Sequence, residues 1–356
     1  PVAELIEVCT SGTTLLPGLI DAHTHAVFAG DRSGDFSRRM AGATYAEIAA
    51  EGGGILTTVR QTRAATVDAL CQSAAGRLEQ MWANGVRVVE IKTGYGLNVA
   101  AELKLLAAID QLAARFAGRL AIVATAMPAH AIPPEWRADP AGYVREVVDQ
   151  ILPALAASPH PCRFVDVFVE QGYFDLDAAN AIAAAARQLG WGLKAHVDEF
   201  VDLGGVAWAV GAGATSVEHL LTTSDAGIEA LAKSDTVAVC LPLTSLYLRE
   251  GYAPMRKLVE AGALVAVATD CNPGSAMTTN LPLAMQIAML NGALSPMECV
   301  RGVTSVAAKA VGCPGGYDGT LRVGGPFVAS RLAVSHPDEL FYQLGAPPLG
   351  LPIALP

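Results

Sequence analysis

The chain has 356 residues, 52% of them apolar and 16% charged, and its formal net charge is −10 at pH 7. That length and apolar content allow one large core with a small appendage, while an acidic balance without a basic stripe argues against a nucleic-acid partner. No uninterrupted apolar run reaches the ~18 residues of a membrane span, so no membrane association is expected.

The start of the chain lacks the basic, then apolar, then small-residue pattern of a secretory signal. The cysteines (Cys9, Cys71, Cys162, Cys240, Cys271, Cys299 and Cys313) are odd in number and form no C-x-x-C pair. A reducing cytoplasm suits them better than a disulfide framework does.

Residues 1–14 stand apart from the rest of the chain and are read as the remnant of a small β-domain. Short apolar, β-branched runs then alternate with longer Ala- and Leu-rich segments of helical period. Strands are predicted at residues 16–23, 86–92, 120–125, 164–170, 192–196, 214–219, 236–241 and 264–270. Helices are predicted between them, at 67–83, 99–116, 141–156, 176–189, 226–232 and 255–261. Near-continuous apolar strands alternating with helices imply a parallel sheet covered on both faces. Eight such units over roughly 250 residues predict an α/β fold, a (β/α)8 barrel of the TIM type, placed at residues 15–310. A doubly wound open sheet is the alternative, disfavoured because no glycine-rich phosphate loop follows the first strand. Residues 311–356 are read as a C-terminal strand and tail. In them GGYDGTL resembles a turn entering a strand, and the Pro-, Gly- and Leu-rich stretch from Gly345 an extended tail.

Chemistry in such a barrel sits at the C-terminal ends of the strands. Of the seven histidines, His23 and His25 end the first strand, His130 follows the third, His196 ends the fifth and His219 the sixth. Lys92 and Tyr95 fall at the end of the second strand, Glu170 of the fourth and Asp270 of the eighth. His160 and His336, in Pro-flanked loops, are assigned no role.

Residues two apart in an extended chain face the same side, so His23-Thr24-His25 presents two imidazoles to one point. With His196 and Asp270 the donors become three imidazoles and a carboxylate, a set that suits a catalytic divalent transition metal with a position left for water. Glu199, three residues after His196, is placed to take that water's proton and return it to a leaving nitrogen. His219 is placed to hydrogen-bond an oxygen that gains negative charge. Cys271, beside Asp270, is read as a packed thiol. Gly52-Gly53-Gly54 is read as a mobile or close-approach loop, since it lacks the strand–loop–helix phosphate pattern.

The H-x-H pair, the later histidines and the final aspartate resemble the amidohydrolase superfamily. Within it, PGLIDAHTHAVFAGDR, GATYAEIAAEGGGILTTVRQTRAAT, EIKTGYGL, AHAIPPEW, KAHVDEF, SVEHL and ATDCNPGS resemble the imidazolonepropionase family, over roughly residues 15–310. The resemblance implies metal-dependent hydrolysis of the cyclic amide of 4-imidazolone-5-propanoate to N-formimino-L-glutamate, a step of histidine degradation. It implies one zinc or iron ion on His23, His25, His196 and Asp270, with Asp270, the shuttle Glu199 and the polarising His219 as catalytic residues. Substrate contacts are implied at Arg32, Tyr45, Tyr95, His130, Asn272, Gly274 and Ser275, and a homodimer is expected. The planar, permanently charged fork of Arg32 suits the substrate's carboxylate.

In superfamily members with two metals, a carboxylated lysine stands on the fourth strand. Here Lys92 is on the second and Glu170 on the fourth, so one metal is expected, with Lys92 and Glu170 as inner ion-pair or supporting groups. The chain departs from the family at both ends, where GGPFVASRLAVSHPDEL replaces a usual Ala-Asp-Leu strand, and a truncated small β appendage is expected. AMPAHA also replaces LGAHA. Two alternatives stand beside this reading. One is a mononuclear deaminase of the superfamily, against which Arg32 and Tyr45 argue because a nucleobase has no carboxylate. The other is a catalytically silent metabolite-binding homologue.

Overall fold

In the computed structural model, residues 12–43, 47–48, 52–346 and 350–351 are described. Eight parallel strands form one sheet in chain order: β2 (Leu19–Asp21), β3 (Val86–Lys92), β4 (Ala121–Ala129), β5 (Phe164–Val169), β6 (Gly192–Val197), β7 (Ser216–His219), β8 (Val237–Cys240) and β9 (Leu264–Val267). The last strand returns to the first. Asp270 N–H donates to the His23 carbonyl at 3.1 Å and His25 N–H to the Cys271 carbonyl at 3.0 Å. The Asp21 carboxylate adds bonds from the Thr269 N–H (3.0 Å) and hydroxyl (2.6 Å). The predicted TIM-type barrel is thus the observed fold.

The helices start where the chain supplies a side-chain acceptor for the free N–H groups of the first turn. Thr66, Asn98 and Asp175 cap the helices Val67–Ala83, Val99–Arg115 and Leu176–Gln188. Ser295 and Glu298 form a reciprocal capping box on Pro296–Gly302. Apolar faces of these helices pack outside the strands in one continuous core, and a second, smaller core of Ile20, Val88, Val123, Val237 and Ala266 fills the barrel interior. Among the described residues, no helix is long and apolar enough to cross a membrane.

Two readings need correction. Residues 16–23 are not one strand. The chain breaks at Gly18, and β1 (Thr14–Pro17) leaves the barrel to pair antiparallel with β10 (Ala329–Leu332), which in turn pairs with β11 (Gly350–Leu351). Gly18 permits the break because a Cβ there would lie 2.7 Å from Val328 and 2.9 Å from Arg87. The strand expected directly after the 315–321 turn comes later, as β10. Beyond the predicted helices, Leu281–Gly292, Pro296–Gly302 and Ser305–Val311 follow β9. Leu281–Gly292 is apolar all round and packs on several sides, so it carries no single stripe for periodicity to reveal.

Candidate metal centre and active site

The barrel interior changes character from bottom to top. Above the apolar layer, β3 places Glu90 and then Lys92 inward, β5 places Asp166, β6 Lys194 and His196, and β7 Glu218, all 3% exposed or less. The upper end holds the histidines. His23 Nε2 lies 3.4 Å from Asp270 Oδ1, His25 Nε2 lies 3.9 Å from the same oxygen, and the Nε2 atoms of His25 and His196 are 3.4 Å apart. Donor atoms 3.4–3.9 Å apart are close enough to reach one ion at bond lengths of about 2.0–2.1 Å.

Three of the four donors are aimed by a partner behind them. His23 Nδ1 lies 3.1 Å from Glu218 Oε2, His196 Nδ1 lies 2.9 Å from Asp166 Oδ1, and the Thr244 hydroxyl donates to Asp270 Oδ2 at 2.6 Å. Such outer partners fix a ligand's tautomer and orientation. Asp166, Glu218 and Thr244 were not singled out from the sequence. The signal that finds the two acids is an ionisable residue inside an otherwise apolar strand, as in FVDVFV and SVEH.

Charge supports the same conclusion. Among the described residues, the buried carboxyl groups of Glu90, Asp166, Glu218 and Asp270 face the ammonium groups of Lys92 and Lys194 and the rings of His23 and His196, an acid-rich volume that suits a cation. Burial opposes a charged His23, yet Glu218 and Asp270 outweigh it and draw the ring up to about 9. Burial and then Glu218 push Asp166 up to about 7. Burial, then the neighbouring His130 and His23, depress His25, and burial with His23 depresses His196, which favours the neutral, lone-pair-bearing form of both rings. Burial disfavours the ionised Asp270, but His23, His219 and Thr244 hold it well below the usual carboxylate range. Neutral imidazoles beside a firmly ionised carboxylate fit a divalent transition metal.

A cavity of about 340 Å³ opens above these donors. His25, His130, Tyr95 and His196 line its floor, with His130 stacked on His25 at 4.7 Å between ring centres. Glu199 and His219 line one side, with His219 Nδ1 3.6 Å from Glu199 Oε1. Burial, then Asp270 and Glu170, raise Glu199 well above the usual carboxylate range, and burial lowers His219. Glu170 accepts from the N–H groups of Gln171, Phe200 and Val201 (2.8, 2.8 and 3.3 Å) and so braces the loop that carries Glu199. Asp198, His219 and Asp270 all have left-handed backbones, with φ of 54°, 77° and 53°. Such strained positions persist where the surroundings over-determine them, commonly at functional sites.

Arg32 and Arg39 reach the cavity from one face of the helix Ser33–Met40 and its N-cap. Asp35 accepts from Arg32 Nε and from Gly54 N–H, both at 3.0 Å. Asn272, Gly274 and Ser275 also line the cavity. The Asn272 side chain spends its bonds on its own turn, donating to the Asp270 carbonyl (2.7 Å) and accepting from Gly274 and Ser275 N–H (2.7 and 2.8 Å). The cavity therefore brings together every expected site residue except His23, which lies just beneath it, and Tyr45, which lies outside the described residues. His160 and His336 pair with Asp110 and Asp338 away from it. Cys271 is fully buried and its thiol is pushed up to about 12 by burial, as a packed thiol should be.

Several known proteins share this architecture. A 5-methylcytosine deaminase from Klebsiella pneumoniae superposes with a TM-score of 0.73 at 17% identity, covering 96% of this chain and 87% of that one. An adenosine deaminase from Xanthomonas campestris, solved with bound zinc, superposes at 0.66 and 16% identity, covering 95% and 78%. These likenesses speak to the fold. In sequence, the chain is 46% identical over 314 residues to an imidazolonepropionase of Symbiobacterium thermophilum, covering 88% of this chain and 73% of the relative. It is 46% identical over 357 residues to another from Chloroflexus aggregans, covering 98% and 82%. Residues 14–328 match the amidohydrolase family. The chain belongs to the amidohydrolase family and, within it, to the imidazolonepropionases.

Proposed function

We infer that the chain hydrolyses the cyclic amide of 4-imidazolone-5-propanoate, giving N-formimino-L-glutamate. The observation that carries this reading is the pairing, in one cavity, of a buried His/Asp donor set with Arg32 on the wall above it. The donors suit hydrolysis of a C–N bond, and the arginine suits a substrate with a carboxylate.

His23, His25, His196 and Asp270 would hold the metal, zinc or iron. A bound divalent ion lowers the pKa of water toward neutrality and so supplies a hydroxide-like nucleophile. The chain's own groups do the rest. Arg32 pairs with the propanoate and sets the ring over the donors. Tyr95 and His130 flank the ring. Glu199 accepts the attacking water's proton on a carboxylate oxygen as oxygen adds to the ring carbonyl carbon. It then gives that proton to the ring nitrogen as the carbon–nitrogen bond breaks. His219 donates a hydrogen bond to the former carbonyl oxygen, an interaction that strengthens as that oxygen becomes negative.

The test is turnover of imidazolone propanoate by the chain depleted of metal and then reloaded with zinc or with iron. The reading requires activity that follows metal content. It also requires that the neutral ring without a propanoate arm be a much poorer substrate. A metal-loaded chain that leaves imidazolone propanoate intact would overturn it.

A further inference from the structure

We propose that Glu90, Asp166 and Glu218 form a second, buried cation site beneath the metal centre, that the Lys92 ammonium fills it, and that this tethered cation limits the chain to one metal ion. The Lys92 Nζ lies 2.6 Å from Asp166 Oδ2, 2.9 Å from Glu90 Oε2 and 3.1 Å from Glu218 Oε2, and all four side chains are 0% exposed. The oxygens converge from β3, β5 and β7, so the barrel and not a flexible loop builds the cluster. Glu90 Oε2 is buried without a well-directed hydrogen bond, and Glu218 Oε2 lies 3.1 Å from both the ammonium and His23 Nδ1. They face the ammonium as charges around an ion.

The donor set is that of a divalent cation site. Asp166, His196 and Glu218 offer ligand atoms within 4.8 Å of one another. His196 Nδ1 lies 2.9 Å from Asp166 Oδ1 and 3.4 Å from Glu218 Oε2, while its Nε2 faces His25 in the upper centre. Three carboxylates and an imidazole suit manganese(II) or zinc(II). Lys194 does not compete for this position, since its ammonium pairs with the other oxygen of Glu90 at 2.7 Å. Lys92 is held in register by its own N–H, which donates to the Thr24 carbonyl at 2.9 Å. A divalent ion entering the cluster would meet an ammonium at contact distance, a repulsion that a low-dielectric interior makes prohibitive.

The test is metal stoichiometry, which does not depend on the substrate. It rests on the upper centre being a metal site, and the two ideas fail differently. If the upper site were wrong, the wild-type chain would bind no ion at all.

Wild type and Lys92→Ala are equilibrated with excess manganese(II), freed of loose metal and analysed for manganese per chain. The expected contents are one ion in wild type, two in Lys92→Ala and one in Lys92→Arg, which keeps the charge. The two ions in Lys92→Ala should also show spin coupling by electron paramagnetic resonance. Two ions in wild type, or one in folded Lys92→Ala, would overturn the proposal. Should Lys92→Ala accumulate unfolded, it is refolded with millimolar manganese(II) or methylammonium. Refolding with either supports a cation site, and refolding with neither overturns it.

Discussion

Gly274 is the surface on which Arg32 lies. A Cβ at Gly274 would fall 2.2 Å from Arg32 Nη1 and 2.9 Å from its Cζ, distances no side chain tolerates. The turn after β9 and the loop after β2 therefore meet where a planar guanidinium passes over bare backbone, and any side chain at 274 would displace it. Gly274→Ala should push Arg32 off its position while leaving the donors beneath intact. The expected result is a kcat/KM for imidazolone propanoate lower by on the order of tenfold or more, the effect of about 1.4 kcal/mol, mainly through KM. Metal content should be unchanged. Steady-state kinetics with elemental analysis checks both, and a variant with wild-type KM would show that Arg32 does not need this seat.

Glu199 lines the cavity beside Asp270 but is braced by loop contacts through Glu170 rather than by the donor cluster. Glu199→Gln should keep a full complement of metal and lose most turnover, by roughly 10²–10⁴-fold as general acid–base groups typically contribute. Near-normal kcat in the metal-loaded variant would remove Glu199 from the mechanism.

Burial lowers the His219 pKa, which favours the neutral ring, and that ring still carries one N–H to donate. His219→Ala should slow the chemical step by roughly 10²–10³-fold, the effect of losing one preorganised donor to a developing oxyanion. A change confined to KM would instead assign His219 to ground-state binding.

How much of this was legible in the sequence depends on where each signal lies. The strand-end residues His23, His25, His196, His219 and Asp270 were readable because alternation within a strand and the position of strand ends are both local patterns. Gly18 shows the limit. The run through it is uniformly apolar, and only contacts with Val328 and Arg87, far away in the chain, make it a break between two sheets. Of the ionic layer under the candidate metal centre only Lys92 was read as an inner ion-pair group, and its partners were hidden for a related reason. Glu90, Lys92, Asp166, Lys194 and Glu218 sit on four different strands, and the ion pairs that make them a unit exist only after the barrel closes. Arg39 was missed because nothing nearby marks it. It is found by noticing that it follows Arg32 by seven residues and so shares a helix face.

Away from the site, acid stability has a named contributor. Glu298 is pulled down to about 2 by hydrogen bonds from Arg256 and from the Ser295 backbone. Because its folded pKa lies below the ordinary 4.5, its contribution is present above pH 4.5 and is lost as pH falls from there toward 2. Both side chains are about a third exposed, so the contribution is on the order of 1 kcal/mol or less. Glu298→Gln should flatten that part of the stability curve in urea melts run across the pH range and leave kcat/KM at pH 7 unaltered. A variant with the wild-type acid limb would assign the loss to other carboxylates.

Arg32 is proposed to decide which substrate the barrel accepts. Its Nε is committed to Asp35 at 3.0 Å, which fixes the plane of the guanidinium and turns its Nη edge toward Gly274 and the cavity. A carboxylate meeting that edge can form two parallel charge-assisted bonds. Truncating one member of such a buried pair costs on the order of 2–5 kcal/mol. Arg32→Met should therefore lower kcat/KM for imidazolone propanoate by roughly 30-fold or more without removing the metal. Arg32→Lys should recover only part of the loss, because it restores the charge but neither the fork nor the bond to Asp35 in the same plane. The neutral imidazolone without its propanoate arm separates recognition from chemistry. Wild type should turn it over poorly, and Arg32→Met should turn it over no worse than wild type does. If wild type hydrolyses the neutral ring as well as the acid, the carboxylate is not what the cavity recognises, and a deaminase acting on an uncharged ring becomes the better account of the same donors.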